Sequence, residues 1–325
     1  MKEEEIRPEK LFDELLRLNK KDISKYFNIS DYKNIDCPAC AEKGTFSFNK
    51  DGFNFDECSK CKTLYVSPRP DKESFNNYYT DSESSKFWAT TFYKATQKNR
   101  REMLWKPKAQ QINMKIEKYS PETKTIIDIG GGYGVFIEEF LKLNSIEHLV
   151  IEPSKYLSLV CRDKNLNVLE KFLEDIDSNE LKYKNKTFVS FELFEHLHQP
   201  KLFLKILYNL MDKDDIFIFT TLSGMGVDIQ TLWEDSKSIS PPMHLNFFNP
   251  KSVEILLNKV GFKTLEVTTP GKLDINIMEN SIDKIKDRFW KNFIKYSDEN
   301  EKIKMQELVS SNGFSSHMMI VCKKI

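Results

Sequence analysis

From residue 125 onward the sequence alternates short apolar runs with amphipathic helical patterns, and this alternation restricts the fold more than any other feature. Strands that alternate with helices indicate a parallel sheet covered by helices on both faces. Seven runs predict the strands: TIIDI, LVIEPS, NVLE, KTFVSFE, DIFIFTT, FKTLEVTT and SHMMIVCKK. We therefore predict an α/β protein with a doubly wound, seven-stranded, mostly parallel sheet, in which the final pair suggests an antiparallel edge strand.

Four of the six cysteines form two C-x2-C pairs: Cys37 with Cys40, and Cys58 with Cys61. In a reducing cytoplasm, pairs at this spacing indicate a four-thiolate zinc site rather than disulfides. Between them, TFSFNKDGFNFDE alternates apolar and polar residues around an Asp-Gly turn, which is typical of a β-hairpin. We expect a small N-terminal zinc-ribbon module whose metal is structural, because four thiolates leave no open coordination position.

A degenerate ribbon that has lost its zinc is the alternative interpretation of these pairs. All four thiols are present, which favours zinc. A module of about 30 residues is also too small to fold without its metal. Ala41 and Lys62 depart from the usual pattern, because ribbon knuckles often carry glycine at these positions.

The overall charge is balanced, since Lys+Arg and Asp+Glu both number 49. No net field therefore attracts nucleic acid or an anionic membrane, and a nucleic-acid partner is not expected. The N-terminal stretch MKEEEIRPEK lacks the apolar core of a signal peptide. No apolar run reaches the roughly 20 residues that a membrane span needs. We expect a cytoplasmic protein without a membrane span.

Basic residues outnumber acidic ones in the predicted helical stretch over residues 91–120: Lys94, Lys98, Arg100, Arg101, Lys106, Lys108, Lys115 and Lys118. A solvated helix face accounts for such a pattern, and a phosphate-facing surface is the functional alternative. The chain up to Pro70 carries equal positive and negative charge, which argues against binding of RNA by the ribbon.

A glycine cluster follows the first predicted strand of the sheet. It reads acidic-x-Gly-x-Gly-x-Gly and comprises Asp128, Gly130, Gly131, Gly132, Tyr133 and Gly134. Glycines at these spacings permit a tight turn and let a ligand lie on backbone amides. Glu152 ends the next strand, a short distance after Gly134, where it can accept both hydroxyls of a ribose. Nicotinamide and flavin proteins use a related motif, so the first acid, the short spacing and the strand count together must decide the cofactor.

Over residues 125–325 the chain resembles class I S-adenosylmethionine-dependent methyltransferases, in the motifs IIDIGGGYGVF, LVIEPS, SFELFEHLHQP and HLNFFNPKSVEILLNKVGF. The resemblance implies that the glycine loop holds the amino-acid portion of S-adenosylmethionine and that Glu152 holds its ribose. It implies that Phe172 and Leu173 flank the adenine, and it adds Asp128 and Glu192 to the cofactor-binding residues. A ribbon before such a domain is similar to methyltransferases of deoxysugar and surface-polysaccharide pathways, and to a smaller group of ribosomal-RNA guanine methyltransferases.

The length and these motifs predict four segments. They are a helical segment over residues 1–30, the zinc ribbon over 31–70, and a connector and helix that cap the active site over 71–120. The fourth is the S-adenosylmethionine-binding domain over 121–325, with a helical insertion at about 280–310.

The segment FELFEHLHQP follows a predicted strand, so its acids and imidazoles are expected at the carboxyl edge of the sheet, where ligands bind. Glu192, Glu195 and His196 match the magnesium-binding acids and histidine of ubiquinone-pathway and small-RNA 2′-O-methyltransferases. Many other members carry a similar Glu-His pair without a metal, where it caps a helix and packs against the cofactor loop. Magnesium is therefore a possible ligand that we do not favour.

His244, in PPMHLNFFNP, is our first candidate for a general base and His196 the second. Sugar C-methyltransferases have a histidine and a glutamate near this place, and tyrosines that match the Tyr78-Tyr79 region. Their glutamate is Met243 here. Because C-methylation beside a ketone needs a base and a polar partner for the enolate, the loss of this acid favours transfer to a hydroxyl. The alternative is that His244 caps the loop that enters the next helix.

The sequence thus predicts a methyltransferase that acts on a hydroxyl of a sugar, linked to a nucleotide or lipid, in surface-glycan biosynthesis. The expected cofactors are S-adenosylmethionine and structural zinc, and the expected partner is a small-molecule or glycan substrate. The alternatives are an RNA methyltransferase that uses the ribbon and the basic helix, a sugar C-methyltransferase, and a non-catalytic S-adenosylmethionine-binding module.

Overall fold

The computed structural model describes residues 2–325 and contains eleven strands within that range. The strands are β1 (Gly44–Lys50), β2 (Phe53–Cys58), β3 (Leu64–Val66), β4 (Thr125–Ile129), β5 (Glu147–Ile151), β6 (Val168–Leu169), β7 (Lys186–Phe191), β8 (Ile216–Leu222), β9 (Asn246–Phe247), β10 (Phe262–Thr268) and β11 (His317–Lys324).

The α-helices are α1 (Glu3–Ile6), α2 (Glu9–Tyr26), α3 (Lys72–Asp81), α4 (Glu83–Phe87), α5 (Tyr93–Arg100), α6 (Lys106–Tyr119), α7 (Val135–Leu141), α8 (Lys155–Asp163), α9 (Pro200–Leu210), α10 (Val227–Leu232), α11 (Pro250–Val260), α12 (Asp274–Asn280), α13 (Arg288–Tyr296) and α14 (Glu299–Ser311). None of the helices in the described part combines the length and the apolar character that crossing a bilayer requires.

The chain divides into two compact units, each built from separate segments. The first unit contains the described residues up to Gln97 together with Leu222–Val253 and Thr268–Met318. The second contains Lys98–Thr221, Glu254–Val267 and Met319–Ile325.

Nearly all of a seven-stranded sheet lies in the second unit, with the order β10-β11-β8-β7-β4-β5-β6. This confirms the predicted fold class. β4 pairs in parallel with β5 on one side and with β7 on the other. The chain therefore runs outward from β4 through β5 to β6 and then returns to the opposite side of β4. In open α/β sheets, such a reversal leaves a crevice at the carboxyl ends of the strands, where ligands bind.

The core of the second unit explains why its strands read as continuous apolar runs. Every residue of β4 and β7 is buried. Helices cover both faces of a parallel sheet, so its strands have no polar face to show to water. Phe136 and Phe140 of α7 pack in one cluster with Ile126, Val189 and Ile218 of the strands.

A four-stranded sheet in the first unit has the order β1-β2-β3-β9. β1 and β2 form the hairpin that the alternating pattern predicts, closed by Asp51 and Gly52 with φ of +48° and +88°. β3 pairs antiparallel with β2 and also with β9, which comes from a distant part of the chain. Phe53, Phe55 and Phe247 lie in the apolar cluster that this sheet covers.

Two buried carboxyl groups face each other elsewhere in the first unit. Asp274, at the start of α12, accepts hydrogen bonds from Ser315 Oγ at 2.7 Å, Ser316 N at 2.6 Å and Gln306 Nε2 at 2.7 Å. Asp228 of α10 is fully buried, and burial together with the nearby charge of Asp274 raises its pKa well above the ordinary value. The folded protein therefore holds the proton of Asp228 more tightly than an unfolded chain would.

Candidate functional site

The glycine loop lies directly after β4, at the carboxyl edge of the sheet. Gly130, Gly132 and Gly134 adopt φ of +71°, +56° and +67°, a region that glycine enters without steric cost. The N–H of Gly134 donates to Gly131 O at 2.8 Å, and this bond closes the turn just before α7 begins. The loop thus turns its backbone sharply between the strand and the helix, as the motif predicts.

The space around each glycine distinguishes packing from ligand access. A Cβ at Gly131 would lie 2.7 Å from Val150 Cγ1, and one at Gly134 would lie 2.4 Å from Leu166 Cδ1. At Gly132, no atom of the described residues lies within 4 Å of such a Cβ. Neighbouring side chains therefore leave little room for a Cβ at 131 and 134, whereas the open space beside Gly132 is a cradle that a ligand can fill.

Glu152 follows β5 and is tied to the glycine loop. Its Oε2 accepts from Gly132 N at 2.9 Å and its Oε1 accepts from Ser154 N at 2.9 Å. Burial raises the pKa of this carboxyl, and the two backbone N–H groups partly oppose that rise. Each carboxylate oxygen has two acceptor sites, so Glu152 can still accept hydroxyl groups from a ligand.

Asp128 lies beneath the glycine loop and is 1% exposed. Its Oδ1 has no hydrogen-bond partner among the described residues. Burial raises its pKa to about 8, and the neighbouring charge of Glu152 adds to this effect. A buried acceptor without a partner is rare in native proteins, and here it fits a ligand that brings its own donor, such as the ammonium group of an amino acid.

Phe172 and Leu173 follow β6, as predicted for the residues beside the adenine. Phe172 is 52% exposed, whereas Leu173 is buried. Tyr133 of the glycine loop is half-buried, and its carbonyl oxygen accepts from Lys164 Nζ at 2.7 Å. Their roles toward a cofactor stay predictions.

Glu192 directly follows β7 and has φ of +52°, which is uncommon for a residue with a side chain. Its Oε1 accepts from Thr220 Oγ1 at 2.6 Å, and its N–H donates to Thr220 O at 3.2 Å. Strained residues of this kind persist only where the surroundings hold them, and they cluster at functional sites. β8 thus holds the Glu192 carboxylate at the sheet edge.

Glu195 is buried one turn further on, in a short 3-10 helix, and its Oε2 accepts from Thr221 Oγ1 at 2.9 Å. Burial raises its pKa to about 8, with a further contribution from the charge of Glu192. His196 ends the same short helix and is half-buried. Two adjacent threonines of β8 therefore hold the two acids, and the second predicted base lies beside them in the chain.

Lys108 of α6 is a site residue that the sequence analysis did not single out. Its side chain is 11% exposed, and its Nζ lies 3.4 Å from Glu192 Oε1 and 3.2 Å from Thr220 Oγ1. Burial lowers the pKa of Lys108, while the charge of Glu192 opposes that shift. The sequence contained a sign of this role. Lys108 lies one turn before the buried Ile112, on the same face of α6, and a lysine on a buried helix face usually has a partner or a function.

Most of the other basic side chains of this region are also paired with carboxylates inside the second unit. Arg101 bridges Glu138 and Glu139, Lys106 pairs with Glu102, and Lys115 and Lys118 both bind Glu266. Much of the positive charge of the predicted stretch is therefore balanced by neighbouring carboxylates.

The four cysteines of the predicted zinc site come together in the first unit, all buried, with their Sγ atoms within 4.8 Å of one another. A tetrahedral zinc with Zn–S bonds of about 2.3 Å separates its sulfurs by about 3.8 Å. The closest pairs are Cys40 with Cys58 at 3.3 Å and Cys37 with Cys61 at 3.5 Å. A hydrogen bond from Cys37 lowers the pKa of Cys61 to about 4. The geometry is compatible with zinc.

Ala41 and Lys62, the two departures from the knuckle pattern, have φ of +66° and +58°. The backbone at both positions is therefore left-handed, the conformation that glycine would adopt most easily. Their N–H groups donate to Cys37 O at 2.9 Å and Cys58 O at 3.0 Å, which closes each turn around its cysteine pair. The knuckles form despite the side chains.

His244 lies in the first unit, two residues before β9, and is half-buried. Its Nδ1 lies 2.6 Å from Ser238 O, a carbonyl that can only accept. Nδ1 therefore carries a hydrogen, and in the neutral form of the ring the lone pair is on Nε2. A neutral imidazole in this form is what a general base requires.

The tyrosines near residue 78 differ in environment. Tyr78 is buried and donates to Asn19 Oδ1 at 2.8 Å, so it belongs to the core. Tyr79 is 41% exposed and donates to Met243 O at 3.4 Å. Of these two tyrosines, Tyr79 is the one whose side chain is accessible to a ligand.

A family model described as a methyltransferase domain matches residues 98–267. Among solved structures, the chain is similar to an S-adenosylmethionine-dependent methyltransferase from Archaeoglobus fulgidus, with 18% identity, 72% of this chain and 100% of that chain covered, and a TM-score of 0.46. It is similar to a possible histamine N-methyltransferase from Thermotoga maritima, with 16% identity, coverage of 72% and 98%, and a TM-score of 0.46. It is also similar to the plantazolicin methyltransferase BpumL in complex with S-adenosylhomocysteine, with 12% identity, coverage of 77% and 93%, and a TM-score of 0.49. No curated protein sequence matches this chain.

Proposed function

Because the chain belongs to the methyltransferase-domain family, we propose that it uses S-adenosylmethionine and that its acceptor is a hydroxyl group of a sugar. The sugar would be linked to a nucleotide or a lipid, in surface-glycan biosynthesis. The observation that carries the proposal is the hydrogen bond from His244 Nδ1 to Ser238 O, which leaves Nε2 of the neutral ring as the atom that would take a hydroxyl proton.

The residues at the sheet edge fit the cofactor. The open cradle at Gly132 would receive its amino-acid portion, and the free Oδ1 of Asp128 would accept from its ammonium group. Glu152 would hold the ribose hydroxyls, and Phe172 and Leu173 would flank the adenine. When bound, the cofactor supplies a methyl group on a positively charged sulfur, which is ready for attack by a nucleophile.

The strand order gives the direction in which the cofactor would lie. The adenine residues follow β6 and the ribose acid follows β5, so the amino-acid portion extends past β4 toward β7. Lys108 Nζ lies on that side, held by Glu192 and Thr220. We therefore assign Lys108 to the cofactor carboxylate, because charge-assisted hydrogen bonds to carboxylates are the strong ones.

The position of Lys108 also favours a general base over magnesium as the group that activates the acceptor hydroxyl. Glu192, the first acid of the predicted magnesium motif, already has the Lys108 ammonium 3.4 Å from its Oε1. A divalent ion at this acid would have to displace a fixed cation. The proton of the acceptor hydroxyl is therefore assigned to an imidazole, with His244 first and His196 second.

The acceptor class rests on residue chemistry. Met243 stands where the sugar C-methyltransferases have a glutamate, so an acid that could support an enolate is missing at that position. The ion pairs of residues 101–118 favour a sugar over RNA, because paired cations have less charge to offer phosphates.

Transfer of labelled methyl from S-adenosylmethionine to a panel of nucleotide-linked and lipid-linked sugars tests the proposal. We expect an O-methyl product, identified by NMR of the purified sugar. Methyl attached to carbon, or transfer to RNA with none to any sugar, would contradict the assignment.

A further inference from the structure

The cysteine hairpin and the segment that carries His244 share one sheet within the first unit. Tyr65 of β3 pairs with Asn246 of β9. Val66 N donates to Leu245 O at 2.9 Å, which continues the ladder to the residue next to His244. The strand that leaves the second cysteine pair therefore sets the position of the backbone on the C-terminal side of His244.

A second connection begins at the cysteine pair itself. Asn249 Nδ2 donates to Cys61 O at 2.8 Å, and Asn249 is buried. The same side chain caps α11, since its Oδ1 accepts from Ser252 N at 2.9 Å. The backbone of a cysteine in the cluster is thus bonded to a residue five positions after His244.

A buried arginine joins the two strands between these connections. Arg69 is 2% exposed, and its Nη2 donates to Leu245 O at 3.3 Å and to Asn246 Oδ1 at 2.9 Å. Its Nε donates to Val66 O at 3.3 Å. One guanidinium therefore bonds to both β3 and the segment beside His244, and its rigid planar geometry fixes their relative placement.

On its N-terminal side, the imidazole depends on a short loop. His244 N donates to Ser240 O at 3.0 Å, and Nδ1 donates to Ser238 O at 2.6 Å. The tautomer that suits a base exists only while the ring reaches Ser238 O. A displacement of the segment after His244 would move the ring and break this bond.

We infer that the four-cysteine cluster positions His244, so that metal bound by the cysteines sets the tautomer and placement of this imidazole through β3, Asn249 and Arg69. The inference deepens the proposed function, on which the catalytic role of His244 rests. Binding of metal by four thiolates supplies folding free energy to small hairpins of this kind. Without it, the two knuckles would lose their fixed geometry and the constraint on β9 would weaken.

Removal of the metal from the whole protein is the first test. Zinc content is measured before and after treatment with 1,10-phenanthroline, and ¹⁵N NMR of the imidazoles reports the tautomer of His244. The chain has five histidines, and a His244→Gln variant assigns the signal. We expect the zinc-loaded protein to show Nδ1–H, and the zinc-free protein to show a mixture of tautomers.

Turnover and cofactor affinity are measured on the same samples. We expect turnover to fall about 10- to 100-fold, because small displacements of a base are costly, while the dissociation constant for S-adenosylhomocysteine changes less than twofold. Readdition of zinc should restore both the tautomer and the turnover.

A variant with its zinc in place separates positioning from unfolding. Asn249→Ser keeps an oxygen that can cap α11 but loses the donor to Cys61 O. It should retain zinc and still shift the His244 signal. Asn49→Ser is the matched control, because Asn49 lies on β1 at the other edge of the sheet and bonds to Asn54.

Three results would overturn the inference: cysteines that bind no zinc, an Nδ1–H signal of His244 that persists without zinc, or an Asn249→Ser signal identical to that of the control. The NMR readout needs no acceptor. If the tautomer follows zinc but no sugar is methylated, the positioning stands and the proposed acceptor fails.

Discussion

Replacement of Lys108 by methionine tests how the site recognises the charged end of its cofactor. The variant removes the ammonium group that lies beside Glu192 and Thr220 but keeps a long apolar side chain against the neighbouring aromatic rings. A hydrogen bond between charged groups contributes about 1.5–3 kcal/mol. Loss of one such bond to the cofactor carboxylate should therefore raise the dissociation constant of S-adenosylhomocysteine about 10- to 150-fold.

A comparison of two ligands isolates the contribution of the cofactor carboxylate to binding. 5′-Methylthioadenosine has the same adenine, ribose and sulfur but lacks the amino-acid portion. Isothermal titration calorimetry of both ligands should show a large loss for S-adenosylhomocysteine and less than a twofold change for 5′-methylthioadenosine. Lys106→Met is the matched control, since Lys106 lies on the same helix with a side chain that is 54% exposed and paired with Glu102.

Equal losses for both ligands would mean that Lys108 supports the fold of the site rather than the carboxylate. Unchanged affinity for both would mean that the cofactor tail does not reach Lys108. Either result would refute the direction assigned to the cofactor from the strand order.

Three further predictions concern single residues. Gly132→Val should abolish cofactor binding in calorimetry. Its Cβ has no neighbouring atom within 4 Å in the described part of the chain, so the structural cost is the backbone strain at φ of +56°, and circular dichroism should show a folded protein of reduced stability. Gly134→Val should lose more stability, because its Cβ would also lie 2.4 Å from Leu166 Cδ1 and 3.0 Å from Cys161 Sγ. Full affinity in Gly132→Val would remove the loop from the site. His244→Asn should lower turnover about 10²–10³-fold with unchanged cofactor affinity. EDTA that leaves the zinc content of the protein unchanged should not slow the wild type, and a rate that collapses in EDTA and returns with magnesium would contradict the base. Asp228→Asn should gain stability over the wild type in urea unfolding as pH rises above the ordinary pKa of an aspartate. The raised pKa of Asp228 means that the folded protein keeps a proton which the unfolded chain has lost, so wild-type stability falls with rising pH in this range. Asp274→Asn should instead lose stability, since this carboxylate accepts three hydrogen bonds. A difference between Asp228→Asn and wild type that does not change with pH would contradict the raised pKa of Asp228.

Local patterns were enough to predict the parts of the molecule that local physics determines. The continuous apolar run of β7 reflects burial on both faces of the sheet, and the spacing from Gly134 to Glu152 reflects one helix between two adjacent strands. The alternation on both sides of Asp51 likewise predicts a hairpin whose turn needs left-handed residues. In each case the residues that determine the element are close in sequence.

The features that escaped prediction depend on contacts between distant residues. From the sequence alone, Lys108 is predicted to be a surface cation, because its contacts with Glu192 and Thr220 become visible only in the folded structure. β9 is two residues long and has no periodicity of its own, so its pairing with β3 cannot be recognised locally. The raised pKa of Asp228 comes from burial and from Asp274, which lies in a different helix much further along the chain.

The pairing of β3 with β9 also has a consequence for how the chain folds during its synthesis on the ribosome. Leu64 pairs with Phe247, so more than half of the chain must be synthesised after β3 before this strand can meet its second neighbour. At about 5–20 residues per second, the strand waits roughly 10–40 s with an open edge. Such edges invite pairing with other chains, and β3 is entirely buried in the finished protein. Early capture of zinc by the nascent cysteine pairs would keep the hairpin folded during this interval, so the supply of metal would govern the yield of protein as well as its activity.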